Sequence, residues 1–365
     1  MPKWPAKNVI FISRCFWDYY LHVFQKLFAL EIAEKNNSNV TWFDPPTRNP
    51  LTWLRERKRT INGITVRRPF SLRNEYERFR PIDCLLFRIQ LQTTLNKSPK
   101  PDLWSIACSH PWLAEKKLFA KAIYWPGDYF CPAREFLDYE NYDLVMPWTS
   151  EGMKNIPSHY RGASLQSSTC AGKDFMDFDH SKPISSRFDY RDNFKKTIVY
   201  IGGLSVGRID FALFDKLASK LSDHAILIGA KLDGHNETKV AVEKLITHKN
   251  VFLFEDLEYP ELAELTHAAD ACIIPYMTSG FNAGCCPNKL YEYAALGKPI
   301  ISSAIQTIQR YDPIVNVATD QKSFIKFVRQ ATTHSPSDQK KLQLRNLAQE
   351  ASPPAMIKRI ARTLS

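Results

Sequence analysis

Hydrophobic and polar positions alternate along this chain in two successive cycles. In the first, short β-rich apolar runs at residues 8–13, 40–43, 64–68, 103–108, 122–125 and 143–147 are separated by helix-length stretches. In the second, the runs 197–201, 225–228, 251–254, 271–275 and 299–302 alternate with helical patterns at 209–221, 260–268 and 287–296. That rhythm of strand, helix and strand predicts two α/β units, each built on a mostly parallel sheet of Rossmann-like type. Residues 164–196 are polar and irregular and read as the connection. A helical tail follows at 324–332, 337–351 and 356–364, interrupted by Pro353-Pro354, since a proline pair stops one helix and suits the first turn of the next. The predicted organisation is a first domain over 1–175, a linker over 176–196, a second domain over 197–340 and a helical tail over 341–365 that can cross back to the first domain. Two such units facing each other invite a ligand into the cleft where the carboxyl ends of parallel strands meet.

Length and composition narrow the function classes. The chain has 365 residues, 44% apolar and 24% charged, which excludes a small binding module, a disordered chain and a fibrous repeat. No apolar run approaches the ~20 residues that cross a bilayer, and the few apolar residues before Arg14 are too short for a secretory leader, so a cytoplasmic protein is expected. Eight scattered cysteines read as reduced thiols, mostly small core residues. Neither adjacent Cys285-Cys286 nor Cys108 with His110 has the spacing of a metal site, and none is expected.

Charge is uneven. Residues 48–100 hold 13 Lys/Arg against 4 Asp/Glu, a balance of +9 within a total of +11. That stretch reads as a solvated basic face, or as a neighbour of an anionic membrane surface or phosphate-bearing lipid; no recognised nucleic-acid motif accompanies it, so nucleic acid is not expected as a partner. All eight tryptophans fall within residues 4–148, which gives the two halves different tasks or surroundings.

The most informative chemistry lies at residues 270–302. Here a strand, a loop, a helix opened by Pro287 and closed by Gly297, and a second strand follow one another. A helix start carries free N–H groups and about half a positive charge, and Lys289 adds a full one; that crowding is relieved if a diphosphate sits there. Glu292, three residues on, shares the helix face and can accept hydrogen bonds from two ribose hydroxyls. Charge spacing alone fits an ordinary Lys289–Glu292 surface pair as well.

The run Pro-Asn-Lys-Leu-Tyr-Glu-Tyr-Ala-Ala-Leu-Gly-Lys-Pro at 287–299 resembles the donor-site signature of GT-B glycosyltransferases, especially the family 4 class (glycosyl transferases group 1). Ile198-Val-Tyr-Ile-Gly-Gly-Leu-Ser resembles the first strand and glycine turn of that family's donor domain, and Tyr259-Pro-Glu-Leu262 a later helix start. The resemblance covers residues 197–305 well and the first half in architecture only. It implies a GT-B fold, a donor-binding second domain, an acceptor-binding first domain, and transfer from a nucleotide sugar such as a UDP- or GDP-sugar to a glycan or lipid-linked acceptor. It further implies a role in bacterial surface polysaccharide synthesis and no requirement for a bound metal or cofactor.

Carried over residue by residue, the resemblance implies that Gly202, Gly203 and Leu204 let the backbone approach the donor, that Lys289 and Arg208 bind its diphosphate, and that Glu292 binds the ribose. Position 284, where the first glutamate of the E-x7-E motif belongs, is glycine, which leaves the stereochemistry open and favours the alternative of an inactive nucleotide-sugar-binding protein. Val199–Leu204, Ile274-Pro-Tyr276 and Asn288-Lys289 are more loosely similar to the inverting glucuronosyltransferase of xanthan assembly, which implies donor contacts at Tyr276 and Asn288. It places the catalytic base after a first-domain strand, where Asp128 stands. Asp18 and His22 form an alternative acceptor-side pair; Asp128 equally suits a turn after Pro126-Gly127. Asp177 and Asp179 have D-x-D spacing but follow no strand end.

Overall fold

The computed structural model describes residues 7–18, 24–75, 80–95, 100–106, 118–126 and 136–365. Among the described residues fourteen strands form two sheets. The first unit holds β1 (Asn8–Ser13), β2 (Asn39–Phe43), β3 (Arg59–Ile61), β4 (Ile64–Arg67), β5 (Asp102–Ile106), β6 (Ala122–Trp125), β7 (Leu144–Val145) and β8 (Ala163–Ser164), in the order β3-β4-β2-β1-β5-β6-β7-β8. All its neighbouring strands run parallel except β3 and β4. That antiparallel pair went unpredicted, although its turn is Asn62-Gly63, with φ of 50° and 77°; both residues tolerate the left-handed backbone a two-residue hairpin needs.

In-register aromatic side chains hold the first sheet together. Phe11 pairs with Trp42 on one side and Trp104 on the other, with ring centroids 5.7 and 5.2 Å apart. Phe28 packs edge-on to Trp125 at 4.8 Å. Trp42, Trp104 and Trp125 are therefore core residues, not exposed stacking platforms. Residues 10 and 12 point to the opposite face, where Phe87 and Leu91 of helix Pro81–Leu95 cover them.

The second unit holds β9 (Lys196–Ile201), β10 (His224–Gly229), β11 (Val251–Phe254), β12 (Ala271–Ile274), β13 (Ile300–Ser303) and β14 (Asn316–Ala318), all parallel, in the order β11-β10-β9-β12-β13-β14. Strand order reverses between β9 and β12, and in an open parallel sheet the crevice beyond the carboxyl ends at that switch point is where a ligand binds.

The unit boundaries fall elsewhere than the polarity of the sequence predicts. One unit comprises residues 1–168 with 353–365, the other 169–352. Residues 169–176 look like linker but belong to the second unit. Helix Lys173–Met176 packs on helices Tyr259–Ala268 and Asn288–Ala295, and Phe175 is buried beside the Tyr259 ring at 5.1 Å. Helix Asp338–Ala351 packs on helix Asn288–Ala295, and only helix Pro353–Leu364 joins the first unit, with Met356 and Ile360 fully buried near helix Phe24–Asn36. Among the described residues no helix is long and apolar enough to cross a membrane, and no three His, Cys, Asp or Glu side chains cluster as metal ligands.

Candidate active site

Helix Asn288–Ala295 starts beyond the carboxyl ends of β9 and β12. Pro287 is its N-cap residue, one position earlier than the first helical turn predicted, and offers the helix start no side-chain hydrogen bond. Gly297, with φ +66°, follows its carboxyl end as the sequence suggested. Tyr293 fixes the helix against the sheet by accepting the Ile201 N–H at 2.9 Å. Asn282 anchors the preceding loop, donating to the carbonyls of Arg208 and Met277 at 2.8 and 2.9 Å.

Lys289 and Glu292 are not a surface pair. They are 7% and 5% exposed and lie on the helix face turned to the strand ends. The Lys289 ammonium lies 4.8 Å from the Tyr200 ring centroid and 4.6 Å from that of Tyr276, and donates to the Tyr276 hydroxyl. No carboxylate stands within ion-pair distance of it among the described residues. Two π faces and a phenol oxygen solvate the cation in part; a buried ammonium with no counter-ion is otherwise costly, and an anion would complete the site.

Gly202 gives that ammonium room. Its φ is +118°, and a Cβ there would stand 3.1 Å from Lys289 Nζ. Gly203 is exposed, with an open backbone, and its carbonyl accepts from Tyr200 at 2.8 Å. Arg208 is half-buried, its guanidinium 5.7 Å from the Tyr276 ring centroid, so the shifted loop still brings it to the same cluster. Asn288 is half-buried at the first helical position. Leu204 does not join the site: its side chain is fully buried, its N–H donates to Lys231 at 2.9 Å and its carbonyl accepts from Asp233. It locks the glycine turn by packing.

Glu292 sits deeper. Its Oε1 accepts from the Tyr259 hydroxyl at 2.9 Å, and that hydroxyl accepts the Gly172 N–H at 3.0 Å. Burial pushes the carboxyl up to about 7, against the lowering pull of the Tyr259 hydrogen bond and the Lys289 charge. Sequence reasoning missed Tyr200, Tyr259 and Tyr293. Tyr293 had a visible signal, four residues after Lys289 on the same helix face. Tyr259 was read only as part of a helix start, and its partner is 33 residues away.

Position 284 is a buried glycine ending a 3-10 turn, so no carboxylate stands there. Asp128 and His22 lie outside the described residues. Asp18 pairs with Arg59, which also pairs with buried Asp44 at 2.8 Å. Asp44 accepts from the Trp17 N–H and the Trp42 indole, and burial pushes it up to about 6. Asp179 caps a turn through Ser181, and Asp177 ends helix Lys173–Met176.

Residues 195–332 match the family model described as Glycosyl transferases group 1. Among curated proteins, none matches the chain by sequence. Solved structures similar to it include a trehalose-6-phosphate protein from E. coli bound with UDP-2-fluoro glucose, at 9% identity and TM-score 0.72 over 98% of both chains. WaaG, a glycosyltransferase involved in lipopolysaccharide biosynthesis, matches at 14% identity and TM-score 0.64 over 98% of this chain and 99% of its own. A UDP-forming trehalose-phosphate synthase from Burkholderia xenovorans in complex with glucose-6-phosphate matches at 10% identity and TM-score 0.69 over 99% and 100%. The fold class is GT-B, and the second unit carries a glycosyltransferase domain.

Proposed function

We propose that the protein moves a sugar from a UDP- or GDP-sugar to a glycan or lipid-linked acceptor in bacterial surface polysaccharide synthesis, as a family 4-like enzyme on the cytoplasmic membrane face. The observation that carries the donor assignment is the buried Lys289 ammonium, short of a carboxylate, beside Gly202 and a helix start at the switch point of the sheet. The UDP-2-fluoro glucose on the E. coli neighbour supports a nucleotide-sugar donor here. Lys289, Arg208 and the helix start neutralise the departing diphosphate; Glu292 takes the ribose hydroxyls; Asn288 and Tyr276 complete the pocket. In the inverting mode, Asp128 takes the acceptor hydroxyl proton as that oxygen bonds to the anomeric carbon and the bond to the diphosphate breaks. A thermal-shift screen of nucleotide sugars, followed by a turnover assay on Lys289→Ala, tests this. A donor that stabilises the chain and is turned over by the parent but not the variant supports it; equal turnover by both removes it.

Gly284 favours a second reading, a nucleotide-sugar-binding protein without catalysis. Tight donor binding with neither transfer nor hydrolysis distinguishes that outcome.

Peripheral membrane attachment belongs to the same proposal. Helix Pro81–Leu95 exposes Ile82, Leu85 and Ile89, at 55, 58 and 56%, in one line on its outer face, with Arg88 beside them. Basic side chains flanking an apolar stripe complement an anionic lipid surface. Sedimentation with phosphatidylglycerol vesicles checks it, and equal partition to neutral vesicles counts against it.

A further inference from the structure

The first unit has a cavity that donor binding leaves unused. It opens at the carboxyl ends of β2 and β4 and is lined by Phe43, Trp53, Arg57, Lys58, Arg67 and Arg68, with no carboxylate among the described residues that line it. Carboxyl ends of parallel strands are where α/β units hold ligands.

Three of the four cations stack on rings. The Arg57 guanidinium lies 5.9 Å from the Trp53 ring centroid, that of Arg67 5.8 Å from Phe43, and that of Arg68 4.8 Å from Phe16. A guanidinium stacked on a ring keeps its N–H edge for an oxyanion in its own plane. Arg67 also donates to Thr94 at 3.1 Å, and burial pulls it below its ordinary value. Glu56 pairs with Arg68 from the side. Arg57 and Lys58 have no carboxylate within ion-pair distance among the described residues. Four cations line one cavity, and of these Arg57 and Lys58 repel each other without a carboxylate in reach among the described residues, a repulsion that an anion would relieve.

We propose that this cavity binds a phosphate or diphosphate group carried by the acceptor. The anion site stands on its own geometry; its assignment to the acceptor rests on the transferase reading. The group belongs either to a phosphorylated sugar or to a lipid-linked phosphate, and the same chemistry recognises both.

Calorimetric titration of the full chain with inorganic pyrophosphate tests the site, in a Lys289→Ala background so that the donor helix contributes nothing. Saturable binding that weakens with salt and falls at least tenfold in Arg57→Ala/Lys58→Ala is expected, because both side chains are exposed and outside the packed core. An unchanged thermal midpoint shows that the fold is kept. No saturable binding, or equal binding by the double variant, overturns the proposal. Glucose-6-phosphate and phosphatidylcholine vesicles carrying a polyprenyl diphosphate then separate the sources. Whichever loses affinity for the double variant identifies its source, and loss with neither overturns the acceptor assignment. Failure of the transferase reading looks different: pyrophosphate still binds, but the parent protein shows no affinity for UDP or GDP.

Discussion

A Cβ on Gly202 would stand 3.1 Å from the Nζ of Lys289 and 3.2 Å from its Cε. The glycine turn and the lysine therefore occupy one space, and the left-handed backbone at φ +118° adds strain for any other residue. Gly202→Ala should cost about 1–3 kcal/mol of stability and displace the ammonium. Chemical denaturation reads the first effect and UDP calorimetry the second; full UDP affinity in the variant would refute the shared-space account.

Lys289→Met should separate stability from binding. The buried ammonium donates to a phenol and lies against two rings without an ion-pair partner among the described residues, so an apolar chain of similar length should leave the unliganded thermal midpoint unchanged or raised. Nucleotide affinity should fall by about 1.5–3 kcal/mol, the usual worth of a charged hydrogen bond. A destabilised variant with intact affinity would contradict both halves.

Glu292 gives a pH dependence of defined sign. Its folded carboxyl titrates near 7, above the ordinary 4.5, so between those values the folded chain binds more protons than the unfolded one. The contribution is fully present below about 4.5 and is lost as pH rises through about 7, an effect on the order of 3 kcal/mol at most. Glu292→Gln keeps an acceptor for Tyr259 and should flatten that slope in urea midpoints measured from pH 5 to 8. Ribose hydroxyls donate to the charged form, so the parent protein's nucleotide affinity should rise over the same interval.

Ile360 tests the returning tail. Its side chain is fully buried in the first unit, and Ile360→Ala should cost about 2–4 kcal/mol by transfer and cavity terms. UDP affinity should not change, since the donor residues belong to the other unit; differential scanning calorimetry alongside UDP titration checks both.

Glu292 also shows how far the site was legible. Its spacing from Lys289 put the two on one helix face, and the Gly202-Gly203 turn after a β-run marked where a chain can approach an anion. Leu204 was placed with them by its neighbours in sequence, yet its packing and its amide's bond to Lys231 take it out of the site. Tyr259 entered only through folding, because nothing local connects it to Glu292 or to Gly172.

By itself the sequence determined the alternation of β-runs and helices, the glycine turns at 202 and 297 and the cation on the helix start, since each depends on period, backbone freedom or short-range spacing. Tertiary structure alone decided that Lys289 and Glu292 are buried rather than paired on the surface. It also decided that polar residues 169–176 pack as part of the second unit, and that of the tail expected to cross back only residues 353–365 join the first. Burial depends on which distant segments cover a face, and local pattern carries no record of that partner.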